Sequence, residues 1–392
     1  MKKSDLINRK LLGLVLAGSL ALSLTACASV QVSQPAPSQS AADAADSNAA
    51  AASAAAANAS ADAADDTADS KEADGATEYT FTTREIRKSN AGDAILPTPT
   101  EYVEERDGDQ ERFDSFVWSV DKLKDNFDDV VIIDARAKDD YDKEHIVGAV
   151  NATWQDWSDV EVPQDSGTWS LLYDTDVIAD KLAALGIDGT KTVVIYNDPL
   201  NGWGEEGRQL WSLRYYGLDD SYILNGGIPA WKEAGGEVTD EETVITPADK
   251  PSLTKNDEFF ASTEYLASHL DTDNILDVRD DQEFSALTNS GEKCNGRVPG
   301  SLHVWYKDFY HDDGTLFTPA EIRARVEPLG YNTDEPIIAY CTGGIRSGFS
   351  TIVLRIAGYD SARNYDASFS GWAGTDQNID DQVYSDLSVV NN

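Results

Sequence analysis

An internal repeat is the feature of this sequence that most constrains its fold. From about Phe113 onward, segments recur at an offset near 143 residues. The matching apolar runs are residues 130–136 with 274–279 and residues 192–196 with 336–340. Short β-branched runs that alternate with helix-length segments predict βα units around a buried parallel sheet. The sequence therefore predicts an α/β fold of two tandem domains, residues 110–245 and 250–380, each a parallel sheet flanked by helices.

Charge and cysteine content exclude two classes of protein. The 392 residues include 31 Lys and Arg against 70 Asp and Glu, which gives a formal net charge of −39. A phosphate backbone is bound through clustered basic side chains, so we expect no nucleic-acid partner. Three cysteines in so long a chain exclude a scaffold built on disulfides. The composition indicates an acidic globular protein with enough chain for two cores.

The N-terminus has the pattern of an export signal. Residues 1–26 combine a basic start with an apolar run at 11–24, which is too short to span a membrane. The run ends in Leu-Thr-Ala-Cys27, which resembles the bacterial lipobox, whose cysteine receives lipid. We therefore expect a lipoprotein signal peptide over 1–26, lipid on Cys27 and an extracytoplasmic protein. The lipid anchor is its only predicted contact with the membrane.

A low-complexity segment follows the predicted lipidation site. Between Ala41 and Ser70 every residue is Ala, Asp, Ser, Asn or Thr, and 17 of the 30 are Ala. Such a segment buries too little apolar surface to offset the entropy lost on ordering. We therefore predict a disordered tether over residues 27–78. Residues 79–109 are assigned as a lead-in segment, and the sequence predicts no fold for them.

The two repeats differ at the loop that follows their second matched strand. Asn197 in the first repeat and Cys341 in the second each follow a tyrosine directly. The second loop reads Cys-Thr-Gly-Gly-Ile-Arg over 341–346, and we predict that Ser347 begins the next helix. The glycines let successive N–H groups point inward, and the helix adds its positive end. A cysteine in that setting is predicted to be a nucleophilic thiolate with a lowered pKa, and Arg346 is predicted to hold an anion.

These motifs resemble those of the rhodanese family of sulfurtransferases, over about residues 110–380. The shared motifs are the Asp-x-Arg strand end at 277–279, the turn at 297–301, the cysteine loop and the closing Gly-Trp at 371–372. The resemblance implies that Cys341 takes sulfur from a small anionic donor, thiosulfate by default, and holds it as a persulfide. The acceptor would be a thiol or cyanide.

The same resemblance implies roles for other residues. It implies no cofactor and no metal, and a first repeat that is inactive because Asn197 replaces the nucleophile. That repeat would shape one wall of the cleft, with a loop about three residues longer. The residues implied for substrate binding are Thr342, Gly343, Gly344, Ile345, Arg346, Ser347 and Arg279. Of these, Arg279 is expected mainly to pair with Asp277.

Two positions depart from the pattern of two-domain thiosulfate and mercaptopyruvate enzymes. Those enzymes usually have a second arginine four residues after the Asp-x-Arg arginine, where this chain has Glu283. The Gly-Ile-Arg end of the loop is similar to single-domain members, so the donor stays open. Cys294, in the insertion 288–295, is a candidate to form a disulfide with Cys341 or else a surface thiol.

Three other functions are considered from the sequence. A phosphatase or arsenate reductase of the same fold typically has Cys-x5-Arg, whereas Arg346 stands at Cys-x4-Arg. Residues 202–207 are formally Gly-x-Gly-x-x-Gly, but Glu205 and Glu206 would face a dinucleotide pyrophosphate with like charge. The third function is that of a non-enzymatic lipoprotein that binds sulfur species or a protein partner. Persulfide formation on Cys341 distinguishes the enzyme from that binding protein.

Overall fold

The computed structural model describes residues 104–383 and, before them, the backbone of a two-stranded antiparallel ribbon. The strands of that ribbon are β1 (Lys88–Ser89) and β2 (Gly92–Asp93). The predictions that lie outside the described residues are those for 1–26, Cys27, 27–78 and most of 79–109. Within the described part, no helix is both long and apolar enough to cross a membrane.

The first half of the described chain is built on a five-stranded parallel sheet. The strands of this half, five in that sheet and two in a separate pair, are β3 (Val117–Trp118), β4 (Val130–Asp134), β5 (His145–Ile146), β6 (Val150–Asn151), β7 (Thr192–Tyr196), β8 (Ser221–Leu224) and β9 (Val238–Thr239). Its helices are α1 (Asp109–Asp114), α2 (Val120–Asp125), α3 (Lys138–Lys143), α4 (Thr175–Ala184), α5 (Glu205–Tyr215) and α6 (Gly227–Glu233). The sheet order is β3-β8-β7-β4-β6, and β5 pairs separately with β9.

The second half repeats this arrangement. Its strands are β10 (Phe260–Ala261), β11 (Asn274–Asp277), β12 (Leu302–His303), β13 (Ile337–Tyr340) and β14 (Ala362–Tyr365). Its helices are α7 (Thr263–His269), α8 (Asp281–Phe284), α9 (Pro319–Val326), α10 (Ile345–Ile356) and α11 (Ser368–Gly374). The sheet order is β10-β14-β13-β11-β12, again with all neighbours parallel. The prediction of two tandem α/β domains with parallel sheets is confirmed.

The matched apolar runs form the central strands because both of their faces are covered. All four residues of β13 are fully buried, and so are the last residues of β7. In a parallel sheet, helices cover both faces, so central strands are continuously apolar rather than alternating. This packing places the carboxyl ends of β11 and β13 side by side, with Asp277 opposite Tyr340.

The two halves pack together through α5 and α10. A Cβ at Gly204 would lie 2.8 Å from Cβ of Phe349, and one at Gly207 would lie 2.6 Å from its Cα. Both glycines are therefore needed for the helices to approach this closely. Arg208, on the same face of α5, forms a buried ion pair with Asp366 at 2.5 Å. One apolar core contains residues of both halves, so the two halves are packed together as one structural unit.

The lead-in segment docks on the second half before α1 begins. Arg323 of α9 forms an ion pair with Asp109 at 2.6 Å and donates to the carbonyl of Glu104. Arg106 pairs with Glu327 at 2.8 Å. The residues that precede the first strand of the N-terminal sheet in sequence therefore contact the C-terminal half.

Candidate active site

Cys341 lies at the carboxyl end of β13, where a short loop turns into α10. The loop contains only residues 341–344, because Gly344 has a φ of +86° and caps the helix, which begins at Ile345. The prediction that Ser347 begins the helix is therefore wrong by two residues. A glycine with positive φ turns the chain within one residue, which brings the helix N-terminus closer to the thiol than expected.

Close packing from both halves fixes the loop. The ring of Trp169, in the first half, covers Gly343, so that a side chain at that position would collide with it. The hydroxyl of Ser170 donates to the carbonyl of Gly343 at 2.7 Å. Arg208 and Asn364 both donate to the carbonyl of Gly344, each at 3.1 Å. The loop is thus held by backbone contacts that do not depend on its own side chains.

The Cys341 thiol is 1% exposed and is surrounded by hydrogen-bond donors. The Ser347 hydroxyl donates to Sγ at 3.5 Å, and the hydroxyl of Ser368 lies 3.9 Å from it. Burial alone raises the pKa of a thiol. Here the Arg346 charge, the Ser347 hydroxyl and the N–H groups of Ser347 and Gly343 outweigh burial and lower the pKa of Cys341. The predicted thiolate character is consistent with this geometry.

Arg346 has a carboxylate partner. Its guanidinium donates to both oxygens of Glu283, at 2.6 and 2.9 Å, and to the hydroxyl of Thr342 at 2.7 Å. Burial raises the pKa of Glu283, but the Arg346 charge and hydrogen bonds outweigh it and hold that pKa well below its usual range. The sequence indicates Glu283 only as a missing arginine, whereas the structure shows a carboxylate that neutralises the arginine of the loop.

Arg279 is fully buried and also paired. Its guanidinium makes a two-pronged contact with Asp277, the shorter arm being 2.7 Å, and donates to the carbonyl of Gly296 at 2.8 Å. The expected structural pair with Asp277 is therefore present. Nη1 has no hydrogen-bond partner among the described residues and lies 3.8 Å from a Glu292 oxygen. Substrate contact by Arg279 stays a prediction, and Nη1 is the atom open to it.

Glu292 is a residue of the site that the sequence did not reveal. Its Oε1 lies 2.8 Å from the Thr342 hydroxyl, and Glu283 Oε1 lies 2.9 Å from the same hydroxyl. Glu292 is in the insertion 288–295, which has no counterpart in the first repeat and no recognisable motif. Only the three-dimensional packing brings this carboxylate to the loop. Trp169, Ser170 and Ser368 were missed for the same reason.

The corresponding loop of the first half is longer and leads into two acidic residues at the start of α5. It contains residues 197–204, which is four residues more than the cysteine loop, where about three were predicted. Asn197 donates to Glu205 at 2.6 Å and to Glu206 at 3.1 Å, and Tyr310 from the second half donates to Glu206 at 2.6 Å. Burial raises the pKa of Glu206 to about 7. Buried carboxyl groups and an amide replace the thiol and its donors.

Cys294 is half-buried and packs against the apolar cluster that includes Trp372. Burial raises the pKa of its thiol, in contrast to that of Cys341. Both cysteines are free thiols in the described part of the chain. A disulfide between them under oxidising conditions stays a prediction.

Comparisons with known proteins place this chain in a family. The rhodanese-like domain family matches residues 119–234 and 262–375. The chain is 30% identical over 246 residues to the sulfur carrier protein TtuD of Thermus thermophilus, across 59% of this chain and 83% of that protein. It is 29% identical over 248 residues to the thiosulfate sulfurtransferase of Pseudomonas aeruginosa, across 62% of this chain and 88% of that protein.

Solved structures show the same fold. The 3-mercaptopyruvate sulfurtransferase from Leishmania major superposes with a TM-score of 0.58 over 66% of this chain and 74% of that one, at 22% identity. Wild-type EanB superposes with a TM-score of 0.61 over 69% of this chain and 70% of that one, at 18% identity. Neither the comparisons nor the loop geometry favours the phosphatase or the non-enzymatic alternative. The family match covers both halves and more than half of the chain, so this protein belongs to the rhodanese family and is a sulfurtransferase that works through a cysteine persulfide.

Proposed function

We propose that Cys341 is the persulfide-forming residue, and that it moves a sulfane sulfur from a donor such as thiosulfate to a thiol or cyanide acceptor. The observation that carries this proposal is the buried thiol with a lowered pKa at the N-terminus of α10, surrounded by N–H and O–H donors. Relatives named thiosulfate sulfurtransferase and sulfur carrier protein support the same chemistry.

The reaction has two balanced steps. The Cys341 thiolate attacks the outer sulfur of thiosulfate, the S–S bond breaks, and its electron pair leaves on sulfite. An acceptor thiolate then attacks the terminal sulfur of the persulfide, and the electron pair of the broken bond returns to Sγ. The Ser347 hydroxyl and the inward N–H groups stabilise the anionic sulfur in both states. Sulfur moves without a net change of oxidation state, so the cycle needs no separate oxidant.

A donor panel tests this proposal. Thiosulfate, 3-mercaptopyruvate and polysulfide are each offered to the wild type, to Cys341→Ser and to Cys294→Ser as the matched control. We expect the wild type and Cys294→Ser to gain the mass of one sulfur atom and to turn over with cyanide. Cys341→Ser should do neither. Equal turnover by Cys341→Ser would refute the assignment.

We further propose that the mature protein is held outside the cytoplasm by lipid on Cys27. The support is the sequence pattern alone: a basic start, a short apolar run, and Leu-Thr-Ala before the cysteine. Detergent-phase partitioning and mass spectrometry of the mature N-terminus test it. We expect wild type to be lipidated at its first residue and Cys27→Ala to partition into water. An unmodified N-terminus elsewhere in the chain would contradict the proposal.

A further inference from the structure

The charges around Cys341 do not suit an anionic substrate. Apart from the buried Arg208–Asp366 pair, whose charges balance each other, two buried guanidiniums, Arg279 and Arg346, face three buried carboxylates among the described residues around the loop. Those carboxylates are Asp277, Glu283 and Glu292. The Cys341 thiolate or its persulfide adds one more negative charge. The summed formal charge of these side chains is therefore negative, although Arg346 was predicted to hold an anion.

Burial makes this imbalance effective. Water and salt screen charges poorly when their side chains are buried, so each unbalanced charge acts on a substrate at the thiol. Arg346 cannot offer its full charge to an anion because both oxygens of Glu283 already accept hydrogen bonds from it. An incoming anion would have to displace Glu283, a carboxylate that is itself almost completely buried.

Asp280 adds to the negative field. It caps α8, where its carboxylate accepts from the N–H of Glu283 at 2.9 Å. Burial and the neighbouring Glu283 charge raise the pKa of Asp280 to about 6, so this carboxyl is ionised at neutral pH. It is therefore a fourth carboxylate next to the arginine of the loop.

An exposed aromatic ring lies beside the same ion pair. Trp203 is 52% exposed, and its ring centroid lies 5.8 Å from the guanidinium carbon of Arg346. Tyr306 donates to the carbonyl of the adjacent Gly202 at 3.0 Å, which ties this segment of the first half to the second half. Indole is the side chain whose face attracts cations most strongly. A ring that lies beside the Arg346–Glu283 ion pair and is open to solvent is suited to a positively charged group.

We propose that the sulfur acceptor of this enzyme is a thiol that carries a positive charge, an aminothiol, and that Glu283, Glu292 and Trp203 select it against anionic thiols. This inference rests on the proposed function, because it concerns the second step at Cys341. The ammonium group would lie toward the carboxylates while its thiolate attacks the persulfide. The same negative field slows loading by thiosulfate, a dianion.

Acceptors that differ in charge test the proposal. Wild type is loaded with sulfur, and decay of the Cys341 persulfide is followed with cysteamine, N-acetylcysteamine and 3-mercaptopropionate, at equal thiolate concentrations. We expect about a tenfold higher rate constant for cysteamine than for 3-mercaptopropionate, with the neutral thiol between them. An equal or faster reaction with the anionic thiol overturns the inference while the persulfide itself upholds the proposed function. Absence of a persulfide with every donor overturns both.

Two variants identify the residues responsible. Glu283→Gln should reduce the preference for cysteamine several-fold and raise kcat/KM for thiosulfate, because it frees the Arg346 charge. Trp203→Leu changes an exposed side chain and should reduce the cysteamine rate without raising the thiosulfate rate. Glu241→Gln removes an exposed carboxylate of the first half and controls for total charge. If Glu241→Gln shifts the preference as much as Glu283→Gln does, the selection comes from net charge and the proposal is wrong.

Discussion

The two halves of this protein have the same strand order and opposite chemistry at the same point. Each central strand ends in a tyrosine, after which a loop leads into the helix that packs against the other half. In the second half that loop has four residues and holds a thiol with a lowered pKa. In the first half it has eight residues and leads to two carboxyl groups.

The second residue of each helix shows the difference most directly. It is Glu206 in α5 and Arg346 in α10, so the charge at the helix start is reversed. Burial raises the pKa of Glu206 to about 7, whereas Arg346 contributes the charge that lowers the pKa of Cys341. A parallel strand followed by a helix N-terminus is therefore not enough for an active site. The length of the loop and the sign of the adjacent charge distinguish the half that holds the thiol from the half that does not.

The largest effect is expected at the nucleophile. Cys341→Ser should reduce sulfur transfer by about a thousandfold or more, because the serine hydroxyl cannot form a persulfide. Adding Asn197→Cys to this variant should restore nothing, since the new thiol would lie against Glu205 and Glu206 rather than among donors. Cyanide turnover and mass spectrometry measure both variants. Recovery of activity in the double variant would show that the loops are interchangeable.

The next largest effect, a loss of unfolding free energy, is expected at Arg208, where the first half contacts the cysteine loop of the second half. Arg208→Met leaves Asp366 buried without its ion-pair partner and should lower the free energy of unfolding by about 3 kcal/mol. Urea denaturation measures it. Arg106→Met serves as the control, because its partly exposed pair with Glu327 should contribute about 1 kcal/mol at most. Equal losses of unfolding free energy in the two variants would mean that the buried Arg208–Asp366 pair does not stabilise the contact between the halves.

The buried carboxyl group of Glu206, at the start of α5, should make the free energy of unfolding depend on pH. The pKa of Glu206 is raised to about 7 in the folded protein, so its contribution is complete below about pH 4.5 and is lost as the pH rises through about 7. Between pH 5 and 8 this group should remove on the order of 3 kcal/mol from the free energy of unfolding.

A variant isolates that contribution. Glu206→Gln stays neutral at every pH, so the fall in unfolding free energy between pH 5 and pH 8 should be smaller by the Glu206 contribution. The exposed Glu241→Gln should leave the fall unchanged. Urea denaturation at the two pH values measures all three proteins. If the unfolding free energy falls as much in Glu206→Gln as in wild type, the titrating group is not Glu206.

A smaller effect is expected at the cysteine loop. Ser347→Ala removes the hydroxyl that donates to Sγ, so the pKa of Cys341 should rise and the reaction with donor should slow by about fivefold at neutral pH. The pH-rate profile of persulfide formation measures this shift toward higher pH. Ser350→Ala is the matched control, because that hydroxyl donates to the Arg346 carbonyl on the same helix instead. An unshifted Ser347→Ala profile would exclude the hydroxyl from thiolate stabilisation.

The smallest effect is expected at Cys294. Cys294→Ser should leave activity unchanged, and oxidised Cys27→Ala protein should retain two titratable thiols. A count of zero would establish the disulfide and make Cys294 a redox partner of the active site.

The sequence by itself determined the repeat, the sheets and the position of the thiol. Continuous apolar runs such as residues 192–196 require cover on both faces, and that requirement is local enough to be recognised without coordinates. The same holds for Cys341, because a glycine-rich turn after a buried strand sets the backbone around it. The predicted start of α10 was wrong by two residues. The helix begins at Ile345 because Gly344 has a positive φ, which the residue type alone does not specify.

Only the tertiary structure decided the charge of the site. Glu292 comes from an insertion without a motif, and Trp169 and Arg208 come from the other half of the chain. Glu283 was visible as a departure from the family pattern, but its two-pronged contact with Arg346 was not. Electrostatic interactions depend on distance and burial, which are set by packing between segments far apart in sequence. The sequence therefore locates the candidate nucleophile, whereas the fold sets the charges that surround it.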